Sequence, residues 1–192
     1  MSDPGAQVAP SHFRDSPPSP WVRRFAALIP KGTEVLDLAS GAGRHTRLLI
    51  GLGHKVTAVD RDIALLGETA TDPRVAAIAA DLEDGSPWHL GARQFGGVIV
   101  TCYLHRPILP RIVGAVAPGG VLIYETFALG NERFGRPNNP EFLLRPGELL
   151  EAVAGKLAVV AYEAGEEDRP KPGVRQRIAA ISASSWTIPP PG

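Results

Sequence analysis

Cysteine is almost absent from this sequence, since Cys102 is the only one among 192 residues. A single cysteine cannot form an internal disulfide, and no cluster of cysteine and histidine has the spacing of a structural zinc site, so we expect no bound metal. This cysteine usage fits a reducing cytoplasm. We predict that Cys102 is a small buried hydrophobic residue rather than a nucleophile.

An excess of charge of one sign and a long apolar run are also lacking. Twenty basic residues balance 20 acidic ones, so the chain lacks the broad positive field that holds a polyphosphate backbone, and nucleic acid is a disfavoured partner. The longest uncharged stretch, Ile112 to Tyr124, is too short to span a bilayer. Residues 1–20 contain no apolar run that resembles the core of a signal peptide. We therefore predict a cytoplasmic protein without a membrane partner.

The remaining composition is that of an ordinary globular chain, with 44% hydrophobic and 21% charged residues. A length of 192 residues predicts one domain with a sizeable core. Residues 1–20 carry five prolines and little hydrophobicity, which predicts a loose N-terminal arm. We place the single folded domain at residues 21–187 and an irregular tail at residues 188–192.

Apolar runs alternate with helix-compatible segments along this domain. Apolar residues at helical spacing between Pro20 and Ile29 predict a short amphipathic helix. The pattern then predicts strands, the first five separated by helices, near residues 34–38, 55–59, 75–80, 96–101, 119–126, 157–163 and 174–182. Such alternation predicts an α/β fold with a parallel sheet. Continuous apolar runs such as Val98 to Val100 suit central strands that helices cover on both faces.

Residues 128–145 form an unusually long segment without clear periodicity. Loops of this length are uncommon in compact domains and are often functional lids. The segment directly follows the predicted fifth strand, where residues border the ligand crevice of open α/β sheets. We predict that it closes over a substrate, with Phe134 and Arg136 as substrate-binding residues. Arg136 or Arg145 could clamp a carboxylate or phosphate. A helix near residues 146–153 follows.

The strongest motif is a strand that runs through Asp37 into a glycine turn, Ser40-Gly41-Ala42-Gly43, and then into a helix. Glycines let the backbone approach a ligand, and the new helix points its free amides at that ligand. A dinucleotide-binding loop would place a third small residue where Thr46 stands. A carboxylate beside this loop suits an ammonium better than a pyrophosphate. S-adenosylmethionine (AdoMet) has an amino acid end and no phosphate, so Asp37 favours AdoMet, although it could also orient the loop.

Two further aspartates end the second and third predicted strands. Asp60 is placed to accept both hydroxyls of a ribose, although an aspartate at a strand end is often a helix N-cap. Asp81 is placed to accept from the adenine amino group, while the next backbone amide, that of Leu82, donates to the ring. Three aspartates at strand ends around one glycine loop indicate an AdoMet site much more specifically than any one of them does alone.

With these residues the chain resembles the class I AdoMet-dependent methyltransferases. VLDLASGAGR resembles the first motif of the class, VTAVDRD the second, AADLE the adenine-binding third, and VAPGGVLIYETF the fifth-strand segment. The likeness is looser to small bacterial enzymes related to the tellurite-resistance and thiopurine methyltransferases. The resemblance implies a Rossmann-like, seven-stranded, mostly parallel sheet with a C-terminal antiparallel hairpin. The predicted cofactor-binding residues are Asp37, Ser40, Gly41, Gly43, Asp60, Arg61, Asp81, Leu82 and Thr101.

The fourth strand departs from the methyltransferases that act on nucleic-acid amines. Their Asn/Asp-Pro-Pro-aromatic motif is replaced by the segment from Thr101 to Pro107, which speaks against methylation of a base amine. Tyr103, His105 and Glu125 are our candidate catalytic residues that contact the methyl acceptor. A neutral His105 could take a proton from a hydroxyl or thiol, or it could cap the helix that begins near Arg106.

The sequence therefore predicts a methyltransferase with a small-molecule acceptor, such as a thiol, a hydroxyl, a carboxylate or a metalloid. An RNA or protein methyltransferase would share every cofactor motif. A non-catalytic AdoMet-binding protein would retain the pocket without turnover. A nicotinamide-dependent oxidoreductase would share the fold, but it should carry a small residue in place of Thr46.

Overall fold

The computed structural model describes residues 16–168 and 171–182. Its α-helices are α1 (Pro20–Phe25), α2 (Arg44–Gly51), α3 (Leu109–Gly114) and α4 (Glu148–Val153). Its strands are β1 (Glu34–Leu38), β2 (Lys55–Asp60), β3 (Val75–Ala79), β4 (Phe95–Thr101), β5 (Val116–Phe127), β6 (Ala158–Glu167) and β7 (Gly173–Ile181). Short 3₁₀ helices cover Ala26–Leu28, Ile63–Thr71, Arg106–Ile108, Asn131–Arg133 and Pro140–Phe142.

The strands form one seven-stranded sheet in the order β3-β2-β1-β4-β5-β7-β6. The first five strands are parallel to one another, and β7 is antiparallel to both of its neighbours, β5 and β6. The predicted Rossmann-like sheet with a C-terminal antiparallel hairpin is confirmed. Because β7 runs against β5, Arg177 pairs with Glu125. The beginning of β7 therefore lies at the carboxyl edge of the parallel strands.

Helices cover both faces of this sheet. On one face, α1 and α2 contribute Trp21, Phe25 and Leu49 to a core that includes Ile99 and Ile123. On the other face, α3 and α4 pack against the opposite side chains of the same strands, in a core that contains Ile112, Val153, Val98, Leu122 and Tyr124. Burial of each large apolar side chain contributes about 1.5–3 kcal/mol, so the central strands are firmly fixed.

Two connections differ from the expected alternation. Between β3 and β4, residues 80–94 form turns and irregular structure with no α-helix, so the helix predicted there was wrong. The segment Asp84-Gly85-Ser86-Pro87 explains this, since these residue types favour turns over helices. Between β2 and β3, the 3₁₀ segment is broken at Gly67, where φ is 54° and ψ is −133°.

The chain before α1 is tied to the domain by a helix cap. The Ser19 hydroxyl accepts hydrogen bonds from the amides of Trp21 at 3.1 Å and Val22 at 3.4 Å, and Ser19 is buried. Most of the predicted arm, residues 1–15, and the predicted tail at residues 188–192 lie outside the described residues. Those boundaries stay predictions. In the part of the chain that the structure describes, no helix has the length and apolar character needed to cross a membrane.

Candidate active site

The turn after β1 has the backbone that its glycines predict. Gly41 and Gly43 have φ values of 52° and 72°, and Gly43 forms the N-cap of α2. A Cβ at Gly43 would lie 2.7 Å from Cδ2 of the buried Leu66, whereas a Cβ at Gly41 would meet no atom within 4 Å. Ala39 also has a positive φ, of 54°, which costs a residue with a Cβ about 1–2 kcal/mol. The strained, open side of this turn is where a ligand can approach the backbone.

Asp37 is buried, with 2% of its surface exposed, and it accepts a hydrogen bond of 2.6 Å from the Thr46 hydroxyl. Burial raises the pKa of the Asp37 carboxyl to about 7, although the hydrogen bonds from Thr46 and the charge of Arg44 oppose this shift. The hydrogen bond also fixes the first turn of α2 on β1. Thr46 thus stands where a dinucleotide-binding loop would have a small residue, and its hydroxyl donates a hydrogen bond to Asp37.

Asp60 is held against the glycine turn. Its Oδ2 accepts a hydrogen bond of 2.8 Å from the amide of Gly41, and its Oδ1 accepts one of 3.0 Å from the amide of Asp62. The helix cap is the Asp62 side chain, which accepts from the amide of Ala64 at 3.1 Å. Asp60 is therefore not the N-cap that we considered, and its carboxylate faces the turn where a ligand would lie.

The other predicted cofactor residues occupy different environments at the same edge. Asp81 is exposed and accepts from the amide of Glu83 at 2.9 Å, whereas Leu82 is half-buried against the core. Arg61 is exposed. Ser40 is buried, and its hydroxyl has no hydrogen-bond partner among the described residues. Because a buried hydroxyl normally has a partner, the Ser40 hydroxyl is available to a ligand at the turn.

The chain turns sharply where β4 ends. Cys102 has a φ of 54° and is exposed, so our prediction of a buried hydrophobic residue was wrong. The Cys102 sulfur lies 4.0 Å from Nη1 of Arg175 on β7. Burial, followed by the nearby Glu83 and Asp81 carboxylates, raises the pKa of the Tyr103 phenol above its usual range. His105 is half-buried at the N-cap of Arg106–Ile108, but its side chain makes no capping hydrogen bond.

Glu125 lies at the end of β5 with a counter-ion that the sequence analysis missed. Its Oε2 is 3.6 Å from Nε of Arg177 on β7, and Glu125 is buried. Arg177 also pairs with Glu163 at 3.4 Å and with Glu167. The relevant signal was the register of β7 against β5, which the sequence pattern does not fix.

Residues 128–145 leave and re-enter the sheet side by side. Ala128 bridges to Leu144, and the amide of Leu144 donates to the Phe127 carbonyl at 3.0 Å. The buried Asn131 accepts from the amide of Val174 at 3.2 Å. Beyond these anchors the side chains of Phe134, which is 40% exposed, and Arg136 face solvent.

Arg106 anchors the second half of this segment. Its guanidinium donates two hydrogen bonds to Glu148, at 2.7 Å and 3.0 Å, and it donates to the carbonyls of Glu141 at 2.7 Å and Leu143 at 2.9 Å. Arg145 pairs with Glu148 at 3.5 Å and with Glu151. The segment that we expect to act as a lid is therefore held by hydrogen bonds at both ends, and its tip is exposed to solvent.

His45 is a buried residue that the sequence analysis did not identify. It lies in the first turn of α2, and its Nε2 accepts a hydrogen bond of 3.1 Å from the amide of Ser19. Its Nδ1 lies 3.4 Å from the hydroxyl of Thr101 at the end of β4. Burial, followed by the charge of Arg44, lowers the pKa of His45 to about 3. His45 is therefore neutral at physiological pH.

An open groove of about 640 Å³ lies between α2 and residues 65–69, with Ser16 and Pro18 at its border. None of the three strand-end aspartates lines this groove. The chemically promising residues instead meet along the carboxyl edge of β1, β2, β3 and β4.

The sequence and the fold of this chain are similar to those of known methyltransferases. No family model matches the sequence. A ubiquinone biosynthesis O-methyltransferase from Burkholderia multivorans is 30% identical over 132 residues, which cover 65% of this chain and 56% of that protein. The chain thus spans just over half the length of this curated relative.

Solved structures share the fold. The Burkholderia thailandensis 1,6-didemethyltoxoflavin-N1-methyltransferase, solved with 1,6-didemethyltoxoflavin and S-adenosylhomocysteine, matches with a TM-score of 0.62 and 24% identity, over 84% of this chain and 76% of that one. A TehB-like SAM-dependent methyltransferase from Corynebacterium glutamicum matches with a TM-score of 0.61 and 21% identity, over 88% of this chain and 90% of that one. The fold of this chain is the fold of these enzymes.

Proposed function

We propose that this chain is a class I AdoMet-dependent methyltransferase that acts on a small molecule. The observation that carries the proposal is the set of acidic residues at three adjacent strand ends, Asp37, Asp60 and Asp81, around one glycine turn. The hydrogen bond between Asp60 and the Gly41 amide ties two of these elements together. The similarity to methyltransferases in sequence and in fold supports the same assignment.

The residues present fit the functional groups of AdoMet. The buried Asp37 carboxyl suits the amino group, and Asp60 suits the two ribose hydroxyls. Asp81 and the amide of Leu82 suit the adenine ring. Ser40 also supports the fit, because its buried hydroxyl has no hydrogen-bond partner within residues 16–168 and 171–182.

AdoMet would supply a methyl group on a sulfonium, which is already a good leaving group. The protein therefore contributes mainly by aligning the acceptor and by excluding water from it. Tyr103, His105 and Glu125 lie where an acceptor would approach. Tyr103 keeps its proton, because its pKa is raised, so it acts as a hydrogen-bond donor. His105, which makes no capping bond, is the candidate general base for a hydroxyl or thiol.

A small acceptor in the cytoplasm suits this chain better than a nucleic acid. The balanced total of 20 basic and 20 acidic residues supports this choice. Thr46 argues against a nicotinamide cofactor, since it is buried with its hydroxyl bonded to Asp37. That carboxylate would oppose a pyrophosphate at the turn.

Calorimetry with AdoMet, S-adenosylhomocysteine (AdoHcy) and NADH tests the cofactor. We expect binding of the first two and none of the third; binding of NADH alone would overturn the proposal. Labelled AdoMet should then be screened against thiols, phenols, carboxylates, amines and metalloid anions. Transfer to one acceptor class supports an enzyme, whereas AdoMet binding without transfer to any acceptor, including RNA and protein, would indicate a non-catalytic binding protein.

A further inference from the structure

The His45 imidazole joins two parts of the chain that are distant in sequence. One is the beginning of α1, through the Ser19 amide, and the other is the end of β4, through the Thr101 hydroxyl. His45 is buried, with only 2% of the residue exposed. Both of its nitrogens therefore depend on these protein contacts for hydrogen bonding.

The contact with Ser19 determines which nitrogen carries the proton. A backbone amide can only donate, so Nε2 must accept and must be unprotonated. In a neutral imidazole the proton then resides on Nδ1. Nδ1 donates to the Thr101 oxygen, which leaves the Thr101 hydroxyl hydrogen free to donate to a different group.

Thr101 lies on the same face of the sheet as Asp37. Asp37 pairs with Ile99 in the register of β1 and β4, and side chains two residues apart on a strand share a face. Thr101 is therefore about 7 Å further along the strand direction, beyond Asp37 and toward the crevice. Along this edge, the Asp37 carboxylate can accept hydrogen bonds from an ammonium, and the Thr101 hydroxyl beyond it can donate one.

We propose that His45 is a positioning residue that makes Thr101 a hydrogen-bond donor for the carboxylate of the bound AdoMet. This inference rests on the proposed function. Asp37 and Thr101 together would recognise the amino acid end of the cofactor, the former through its ammonium and the latter through its carboxylate. His45 also ties the segment that enters α1 to this end of the pocket.

The tautomer of His45 is measurable without any ligand. Two-bond ¹H–¹⁵N correlation spectra should show a protonated Nδ1 and an unprotonated Nε2, with no change between pH 8 and pH 5.5. The variant His45→Asn identifies the signal by its disappearance. A proton on Nε2, or titration within this range, would overturn the inference.

A pair of ligands separates recognition of the amino acid end from general damage to the pocket. AdoHcy has that end, whereas 5′-methylthioadenosine lacks it and retains the adenosine and the sulfur. Thr101→Val should weaken AdoHcy about tenfold, the loss of one hydrogen bond to a charged group, and should leave methylthioadenosine unchanged. Thr101→Ser should restore AdoHcy binding.

His45→Leu tests the histidine itself, since leucine is apolar and can neither accept from the Ser19 amide nor donate to Thr101. It should weaken AdoHcy, leave methylthioadenosine unchanged, and let the amides of residues 19–22 exchange faster with solvent. Equal weakening of both ligands by Thr101→Val, or no effect on either, would overturn the inference. If the unaltered protein bound neither ligand, the proposed function would fail, while the tautomer measurement would still report on His45.

Discussion

The proposed role of Asp37 predicts that ligand binding depends on pH. Its pKa is raised to about 7 in the free protein, and an ammonium ligand binds to the ionised form. Above pH 7 the carboxylate is present, and below pH 7 a proton must first be released. His45 does not add to this effect, because its pKa is lowered to about 3.

We therefore expect AdoHcy affinity to be constant just above pH 7 and to fall by up to about tenfold per pH unit below it. Calorimetry between pH 5.5 and pH 7.5, in buffers of different ionisation enthalpy, should detect proton release on binding. Asp37→Asn should weaken binding and remove the pH dependence. An affinity that is constant over this range in the unaltered protein would contradict the assignment of Asp37.

Asp60 and Asp62 form a matched pair of neighbouring carboxylates. Asp60→Ala should weaken AdoMet about tenfold to a hundredfold, because charged hydrogen bonds to the ribose hydroxyls are lost. Asp62→Ala removes the helix cap instead, so it should cost about 1 kcal/mol of stability and leave the affinity nearly intact. Titration calorimetry and denaturant unfolding of both variants measure the two effects. The interpretation fails if a folded Asp60→Ala variant retains the original dissociation constant.

The sequence predicted that Asp37, Asp60 and Asp81 lie close together, because each follows an apolar run and the ends of parallel strands meet at one edge of the sheet. It did not indicate His45, whose partners lie 26 and 56 residues away in the chain. A histidine after a glycine turn looks like any polar residue of a first helical turn. Cys102 was misjudged for a related reason, since burial at a strand end depends on the direction in which the backbone leaves the strand.

At the scale of elements, the loop of residues 128–145 is anchored at its ends and exposed at its tip. Phe134→Ala and Arg136→Ala should leave AdoMet affinity nearly unchanged, since the proposed cofactor contacts come from β1 to β4. If the tip closes over the acceptor, the same changes should raise the acceptor KM or lower kcat. Steady-state kinetics with the acceptor found by screening measure this. Unaltered kinetics in both variants would reduce the tip to an ordinary surface loop.

Arg106 is the anchor that controls the second half of the loop. Arg106→Gln removes the two charged hydrogen bonds to the buried Glu148 and leaves only Arg145 as its charged partner, so we expect a loss of roughly 1–3 kcal/mol of stability. Chymotrypsin should then cleave faster at the exposed Phe134 and Phe142. Arg136→Gln is the control, because that side chain is exposed and distant from Glu148. Equal cleavage rates in the two variants would show that Arg106 does not hold the loop.

Element prediction succeeded where periodicity and burial agree. The central strands β1, β4 and β5 contain buried apolar runs, so their positions follow from the sequence. The connections did not follow as well, because residues 80–94 and the broken 3₁₀ segment at Gly67 are governed by turn-forming residues. The C-terminal antiparallel hairpin was implied only by resemblance to a family, and the position of β7 between β5 and β6 was not predicted, since local pattern does not determine which strands become neighbours.

At the scale of the whole molecule, the antiparallel β7 brings Arg175 and Arg177 to the edge where the parallel strands end. Arg175 lies 4.0 Å from the Phe127 ring centre and pairs with Glu167 at 2.5 Å. The hairpin and the parallel strands therefore meet at Glu125 and Phe127. Ligand binding at this edge should stabilise the domain as a unit, because β5 joins the strands that supply the proposed cofactor contacts to the hairpin.

This coupling predicts the thermal response of the protein. A ligand at 100 times its dissociation constant stabilises the folded state by about 2.7 kcal/mol. For a domain of this size that corresponds to a rise in Tm of roughly 5–10 °C. AdoHcy should produce this shift in calorimetric melting, and NADH at the same concentration should produce none. Asp60→Ala at the same AdoHcy concentration should lose much of the shift, because its dissociation constant is higher. An equal shift in that variant and in the unaltered protein would place AdoHcy at a site that does not include Asp60.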